Sequence, residues 1–147
     1  MTKQMQPPLL QPIGFWTMRA GEAIRARTRS RLAEISVSQP EWWLLHQLSL
    51  HPAGIDVDEI VATIGPNDSD DAITDAISSA SKKGWITVDE TRVKVTDTGQ
   101  SVFDEAARIQ TVLNYERRQG ISDADYETTI RTLQRTIENV GGDAWHW

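Results

Sequence analysis

Residues 38–60 read SQPEWWLLHQLSLHPAGIDVDEI, and this stretch decides the fold. Ser38, followed three positions later by Glu41, forms a capping box, the reciprocal hydrogen-bond pattern that starts many helices. The spacing predicts a helix over residues 39–50, which ends at the His-Pro-Ala-Gly turn of residues 51–54. Asp56 and Glu59, also three positions apart, repeat the capping-box pattern and predict a second, short helix. The sequence therefore predicts two helices joined by a tight turn.

Downstream, the spacing changes from helical to strand-like. A further helix is predicted to start near Ser69 and to end at the Lys-Lys-Gly of residues 82–84. Its buried stripe is predicted to be Ile73, Ala76, Ile77 and Ala80. Residues 84–96, GWITVDETRVKVT, alternate apolar and polar side chains around a polar tip, and predict a short β-hairpin.

Long amphipathic helices are predicted on both sides of this segment. Residues 13–36 form one such helix and residues 97–140 form two more. The predicted order is α-α-α-α-β-β-α-α, an α+β, mainly α, fold in a single domain over residues 13–147. Residues 1–12 are rich in Gln and Pro, and we expect them to be a disordered leader.

The charge is distributed unevenly along the chain, although it sums to −6. Residues 1–37 carry +4, residues 38–81 carry −8 and residues 82–147 carry −2. Because cationic side chains neutralise phosphates in ordinary protein–DNA complexes, the acidic middle segment opposes nucleic-acid binding.

The composition argues against several functional classes. The chain has no cysteine, and its three histidines lack the spacing of metal ligands. It also lacks a glycine-rich phosphate loop and a nucleophile elbow. We therefore expect no enzyme activity, no metal and no cofactor. No apolar run is long enough to span a membrane and no signal segment is evident, so we expect a cytoplasmic protein that does not bind membranes.

These segments together resemble the MarR-like winged-helix regulators of bacteria. The resemblance is carried by VSQPEWWLL (37–45), GIDVDEI (54–60), KGWI (83–86), VTDTG (95–99) and GIS (120–122), and it covers residues 13–140. It implies a homodimer formed by the helices of residues 13–36 and 97–140. It also implies a winged helix-turn-helix over residues 38–96, with a recognition helix in the major groove and the wing tip beside the minor groove.

On this resemblance the fourth helix and the wing would contact duplex DNA. The expected DNA-binding residues are Ser69, Asp71, Thr74, Asp75, Ser78, Lys82, Lys83, Arg92 and Lys94. Asp75 stands where family members often have a base-reading arginine, and it is either a cytosine-reading group or a solvated residue. Residues 68–71 are alternatively explained as acidic caps of the helix N-terminus. The loop before this helix is about two residues longer than in the family, and the wing lacks the family's Asp-Arg element.

The family often binds a small aromatic or phenolic ligand between the dimer helices and the DNA-binding lobe. Trp16, Trp43 and His46 lie on the two helices that border this cleft, and we expect them to bind such a ligand. Packing of these rings in the dimer interface is the alternative. Trp42 and Trp85 are expected in the core, and the tail of residues 144–147 either frays or packs on the dimer.

The sequence thus predicts a MarR-type homodimeric DNA-binding transcriptional regulator, responsive to a small aromatic ligand. Its expected partners are a double-stranded DNA operator, a second copy of the chain and that ligand. The alternative is a winged-helix dimer with weakened or lost DNA binding that acts as a protein-interaction or small-molecule-sensing module. The acidic fourth helix favours the alternative, whereas the intact scaffold favours the regulator.

Overall fold

The computed structural model describes residues 3–146. Within that range the helices are α1 (Ile13–Ala33), α2 (Gln39–Leu50), α3 (Val57–Ile64), α4 (Asp70–Lys82), α5 (Asp97–Arg117) and α6 (Asp123–Asn139). The strands are β1 (Ile55–Asp56), β2 (Ile86–Asp89) and β3 (Arg92–Val95). The predicted α+β, mainly α, fold with a helix-turn-helix and a wing is confirmed. None of the described helices is long and apolar enough to cross a membrane.

The chain forms two compact units, residues 1–110 and residues 111–147. The first unit contains α1 to α4, the sheet and the beginning of α5, and the second contains the end of α5 and α6. In the predicted leader, Pro8–Leu10 form a short 3-10 turn, and residues 1 and 2 lie outside the described range. The predicted disorder of residues 1–12 and the single domain over 13–147 both remain predictions.

Side-chain caps start the helices largely where the sequence predicts them. The Ser38 hydroxyl accepts from the Glu41 N–H at 3.2 Å, and the Glu41 carboxylate accepts from the Ser38 N–H at 2.9 Å, so the predicted capping box is confirmed. At α3 the prediction of a box with Glu59 is wrong, because Asp56 caps the N–H of Asp58 instead. The capping bond therefore spans two residues and not three, and α3 still begins directly after Asp56.

A third strand joins the hairpin, and the sequence did not predict it. β1 pairs with β3 antiparallel, with Ile55 opposite Val93, and the sheet order is β1-β3-β2. β1 has only two residues directly before α3, so its alternation is too short to be recognised as a strand. Glu90 adopts a positive φ of 54° at the tip, which allows the chain to reverse between β2 and β3.

The core of the first unit is aliphatic. Its fully buried side chains include Leu32, Leu44, Leu45, Leu48, Ile60, Ile64, Ile73 and Val93. The predicted buried stripe of α4 is confirmed, since Ile73, Ala76, Ile77 and Ala80 are all buried. Burial of this stripe fixes which face of α4 lies in solvent.

The wing is held tightly against the start of α5. The Thr96 N–H donates to the Trp85 carbonyl at 2.9 Å, and the Thr96 hydroxyl donates to the Gly84 carbonyl at 2.6 Å. A Cβ added to Gly99 would stand 2.0 Å from the Trp85 carbonyl oxygen, so this position requires glycine. The Thr96 hydroxyl also accepts from the Gly99 N–H at 3.1 Å and thereby caps α5.

Each unit has apolar side chains that its own residues leave exposed. In the first unit they include Leu9, Leu10, Ile13, Phe15, Trp16 and Met18, and in the second Tyr126, Ile130, Ile137 and Val140. No residue of α6 is buried within the single chain. Apolar side chains along α6 and from Ile13 to Ile24 in α1 are therefore exposed in the single chain, whereas Leu32 near the end of α1 is buried.

Candidate nucleic-acid interface

The exposed face of α4 is polar and acidic. Asp71, Thr74, Asp75 and Ser78 all lie in solvent, opposite the buried stripe. The Thr74 hydroxyl donates to the Asp70 carbonyl at 3.0 Å, which satisfies its proton within the helix. The structure therefore places these four predicted DNA-contacting residues on one accessible side of α4, which we call the reading face. Two of the four are carboxylates.

Ser69 has a different position from the reading residues. Its hydroxyl accepts from the Ala72 N–H at 3.1 Å, so Ser69 is the N-cap of α4. Asp70 and Asp71 follow in the first turn, where negative charge favours the helix dipole. The capping explanation thus accounts for Ser69 itself and for the placement of the acids beside it.

Lys83 is bonded to other residues of the protein, although its side chain is 36% exposed. Its ammonium donates to the two carboxylate oxygens of Glu41, at 2.9 and 3.1 Å, and to the Ser36 carbonyl at 3.0 Å. The same ammonium lies 4.4 Å from the centre of the Trp85 ring. Lys83 was predicted as a DNA contact, and the structure places its charge on an internal carboxylate.

Glu41 is an ionised group in a nearly closed site. The residue is 3% exposed. Burial acts to raise its pKa, but hydrogen bonds from the Ser38 N–H and from Lys83 outweigh that effect, so the pKa of Glu41 lies below its ordinary value of 4.5. The Ser79 hydroxyl donates to the same carboxylate at 3.2 Å. Glu41 therefore links the start of α2 to two residues at the end of α4.

Arg92 in the wing is also partly occupied. Its guanidinium donates from Nε to the Ala53 carbonyl and from Nη2 to the Gly54 carbonyl, each at 3.2 Å. Its position in β3 is opposite Asp56 of β1 and Asp89 of β2. Arg92 therefore stabilises the turn after α2 and stands between two acids.

Asp56 is itself held in its charged form. Its carboxylate accepts from the Thr91 hydroxyl at 2.7 Å and from the Asp58 N–H at 3.0 Å. The Thr91 bond first and the Asp58 bond second keep the pKa of Asp56 below its ordinary value of 3.8. β1 thus places a negative charge beside the wing cation that was predicted to bind phosphate, near the tip of the hairpin.

Lys82 and Lys94 are the predicted cations that remain available. Both side chains are exposed, and neither makes a hydrogen bond or an ion pair with any residue between positions 3 and 146. Phosphate contact by these two groups would break no internal bond. The available positive charge near the reading face is therefore smaller than the sequence indicated.

The predicted ligand residues do not form one group. Trp16 lies at the start of α1, where its indole N–H donates to the Gln11 side chain at 2.6 Å. It borders an open cavity of about 400 Å³ lined by Met5, Gln6, Gln11, Pro12, Phe15 and Trp16. No aromatic ring contact joins Trp16 to Trp43 in the described part of the chain.

A different set of rings meets between α2 and α5. The Trp42 ring stacks on Phe103 with 5.5 Å between centroids, and the His46 ring lies 5.7 Å from Trp42. All three residues are partly exposed, so the prediction that Trp42 is a core residue is wrong, whereas Trp85 is buried as predicted. We call Trp42, His46 and Phe103 the aromatic cluster. Phe103 was not predicted, because no local pattern indicates which residue of α5 meets α2.

Among residues 3–146 there is no group of three or more histidine or carboxylate side chains that could hold a metal ion. The residues with distinctive chemistry in the first unit are therefore the α4 face, the wing cations, the Glu41–Lys83 ion pair and the aromatic cluster.

The fold is shared with solved bacterial regulators. No protein-family model matches the sequence, and no curated protein matches it either. A MarR family transcriptional regulator from Silicibacter pomeroyi superposes with a TM-score of 0.76 at 17% identity, over 87% of this chain and 92% of the other. CouR from Rhodococcus jostii RHA1, bound to p-coumaroyl-CoA, gives 0.74 at 18% identity over 88% and 94%.

A third structure contains nucleic acid. A MarR family protein from Mycobacterium tuberculosis, in complex with DNA, superposes with a TM-score of 0.67 at 17% identity, over 90% of this chain and 99% of the other. The shared elements span nearly the full length of the compared proteins. The chain therefore has the winged-helix fold of the MarR family transcriptional regulators.

Proposed function

We propose that this protein is a homodimeric DNA-binding transcriptional regulator of the MarR type that responds to a small aromatic ligand. The observation that carries the proposal is α4, whose polar exposed face lies beside an antiparallel hairpin on the same core. A helix of this kind fits the major groove, and the hairpin then reaches the neighbouring backbone. The similar M. tuberculosis protein has been solved in complex with DNA, which supports the same use here.

The side chains of the reading face indicate an unusual balance between contacts to bases and contacts to phosphates. Asp75 offers an acceptor that matches the N4 amino group of cytosine, and Ser78 can donate or accept. Lys82 and Lys94 supply the available cations. Because phosphate neutralisation provides most non-specific affinity, we expect weak non-specific binding and a stronger dependence on base contacts than is usual.

A second copy of the chain is proposed as the partner of the exposed apolar faces. Ile130 and Ile137 are each 39% exposed on α6, and Trp16 is 44% exposed on α1. Apolar faces of this length are typical of interfaces between identical subunits. A dimer would also place two copies of α4 on one duplex, as half-site recognition requires.

The aromatic cluster is proposed as part of the ligand site. Trp42 and Phe103 provide flat apolar surfaces, and the His46 ring provides a polar group that can bind an acid or a phenol. Trp16 and Trp43, which the sequence indicated, are kept in the proposal as neighbouring residues. The similar protein CouR was solved with p-coumaroyl-CoA, an aromatic thioester, which supports an aromatic ligand here.

The alternative function is a partner-binding or sensing module that no longer binds DNA. Two observations favour it: the reading face carries Asp71 and Asp75, and the charges of Lys83 and Arg92 are used internally. A module of this kind would keep the dimer and the aromatic cluster.

A salt-titrated binding experiment separates these two functions. Fluorescence anisotropy is measured with a labelled duplex from the DNA upstream of the gene and with an unrelated duplex of equal length. The regulator predicts tighter binding to the upstream duplex at every salt concentration. If neither duplex binds at low salt, the regulator is rejected in favour of the partner-binding module.

A further inference from the structure

The Glu41–Lys83 ion pair joins the end of α4 to a stretch more than 40 residues earlier in the sequence, which comprises the α1–α2 connection and the first turn of α2. Lys83 follows the last residue of α4, Glu41 lies in the first turn of α2, and the Ser36 carbonyl belongs to the connection between α1 and α2. Of the three hydrogen bonds that the Lys83 ammonium donates, two go to Glu41 in α2 and one goes to Ser36 in the α1–α2 connection. The end of α4 is attached to that connection at a single charged group.

The contacts on Glu41 show that the pair is complete. One carboxylate oxygen accepts from the Ser38 N–H and from Lys83, and the other accepts from Lys83 and from the Ser79 hydroxyl. Lys83 is its cation among residues 3–146. Removal of Lys83 would leave a carboxylate that is 3% exposed without a counter-charge, which is unfavourable in a protein interior.

Adjacent lysines at the end of α4 have different environments. Both lysines are exposed, but the Lys82 side chain makes no hydrogen bond or ion pair within the described residues, so its ammonium can contact a phosphate without any rearrangement. Lys83 would have to leave Glu41, Ser36 and the face of Trp85 to do the same. The two neighbours therefore form a matched pair for separating direct contact from positioning.

We infer that Lys83 is a positioning residue for DNA binding: burial of the α4 stripe determines which face of the helix is exposed, and the bonds of Lys83 to Glu41 and Ser36 fix the position of the C-terminal end of that face. This inference rests on the proposed DNA-binding function. It assigns the phosphate contact at this end of α4 to Lys82.

The salt dependence of binding separates the two roles. A lysine that contacts phosphate releases counterions, and its loss lowers the magnitude of the negative slope of log K against log salt by about 0.9 for each contact. A lysine that positions α4 contributes no counterion release. Its loss lowers affinity by a similar factor at every salt concentration and leaves the slope unchanged.

The experiment compares Lys82→Gln with Lys83→Gln in the full chain, by anisotropy titration at several salt concentrations. We expect Lys82→Gln to lower the slope by about 0.9 per subunit with an unchanged melting temperature. We expect Lys83→Gln to lower affinity by roughly tenfold throughout, with the wild-type slope and a lower melting temperature. A lower slope in Lys83→Gln, or an unchanged affinity, would overturn the inference.

A second variant covers the case in which Lys83→Gln does not fold. Glu41→Gln combined with Lys83→Met removes both charges, so no unpaired ion remains buried, and replacement of buried ion pairs by neutral residues is commonly tolerated. This double variant should keep the wild-type slope, whereas a slope lowered by about 0.9 per subunit would identify Lys83 as a phosphate contact.

Failure of the proposed function has a different signature. If the wild-type protein binds neither duplex at low salt, DNA binding and the role of Lys83 are rejected together. If the wild type binds and Lys83→Gln shows a reduced slope, the positioning role alone is rejected.

Discussion

The indole ring of Trp42 and the phenyl ring of Phe103 lie face to face, 3° from parallel and 5.5 Å apart between centroids. This contact joins α2 to the first half of α5. Stacked aromatic pairs contribute about 0.5–1.5 kcal/mol beyond their buried area. Because both rings are also partly exposed, the pair offers a flat surface to a ligand as well as a structural contact.

Ligand binding should therefore depend more on Trp42 than on its neighbour Trp43. A planar aromatic acid such as salicylate is expected to quench tryptophan fluorescence saturably. Trp42→Leu should weaken binding by roughly tenfold, since it removes the stacking surface, an effect of about 1.4 kcal/mol. Trp43→Leu, on the same helix and similarly half-buried, is the comparison and should weaken binding less, because the stacked pair consists of Trp42 and Phe103. Equal loss in both variants, or no saturable quenching in the wild type, would contradict this prediction.

Dimerisation should depend on the apolar face of α6. Ile137→Glu places a carboxylate among the exposed apolar residues and should weaken association more than tenfold, because an unpaired charge is costly inside an interface. Arg131→Glu is the control, since Arg131 lies on the solvent side, bonded to Glu127. Sedimentation velocity over a range of concentrations measures the change. A wild-type monomer at micromolar concentration would refute the dimer.

The role of Asp75 can be decided by whether one substitution strengthens or weakens DNA binding. Asp75→Asn removes a carboxylate from an exposed position on the reading face and should strengthen non-specific binding, because repulsion of phosphates is reduced. If Asp75 reads cytosine, the same variant should bind the specific operator more weakly by about 1–3 kcal/mol per half-site. Titrations against operator and unrelated duplexes distinguish the two effects. No change on either duplex would place Asp75 outside the interface.

The wing cations should differ in their effect on folding. Arg92→Ala removes two hydrogen bonds to the Ala53 and Gly54 carbonyls and should lower the free energy of unfolding by about 1–3 kcal/mol. Lys94→Ala removes an exposed cation with no internal bond and should have a much smaller effect. Urea denaturation measures both. Each variant should also lower the salt slope of DNA binding if its cation reaches a phosphate, which the same anisotropy titration tests.

The Glu41 carboxylate should make stability depend on pH in the acidic range. Its folded-state pKa lies below the ordinary value of 4.5, so its contribution is fully present above pH 4.5 and is lost as the pH falls through the lower, folded-state pKa. Glu41→Gln should therefore melt at a lower temperature than the wild type at pH 7, and the difference should shrink below pH 4.5. Glu59→Gln, an exposed acid on α3, is the control. A difference that stays constant with pH would contradict the assignment.

Much of the fold could be predicted because its signals are local. The Ser38–Glu41 box and the α4 stripe each lie within a few residues, and both are confirmed. β1 was missed because its two residues become a strand through pairing with β3, distant in sequence. Local periodicity carries no information about such partners.

The candidate site was harder to predict for the same reason. Glu41 was recognised as a helix cap, but its bond to Lys83 depends on how α2 packs against α4. Phe103 and Trp42 meet through packing of α5 on α2, which no spacing within either helix specifies. The exposed acids of α4 were predicted, because helical periodicity alone decides which residues face solvent.

The contact between Gly99 and the Trp85 carbonyl has a mechanical consequence. Backbone touches backbone there, and Thr96 bonds to both Trp85 and Gly84, so the hairpin root and the first turn of α5 share one rigid joint. A rotation of the first turn of α5 would therefore rotate the hairpin with it. A small rotation at Gly99 would produce a larger displacement at Glu90, at the far end of the hairpin. Replacement of Gly99 by alanine would force this joint apart, so it should disconnect wing movement from α5 before it disturbs the reading face of α4.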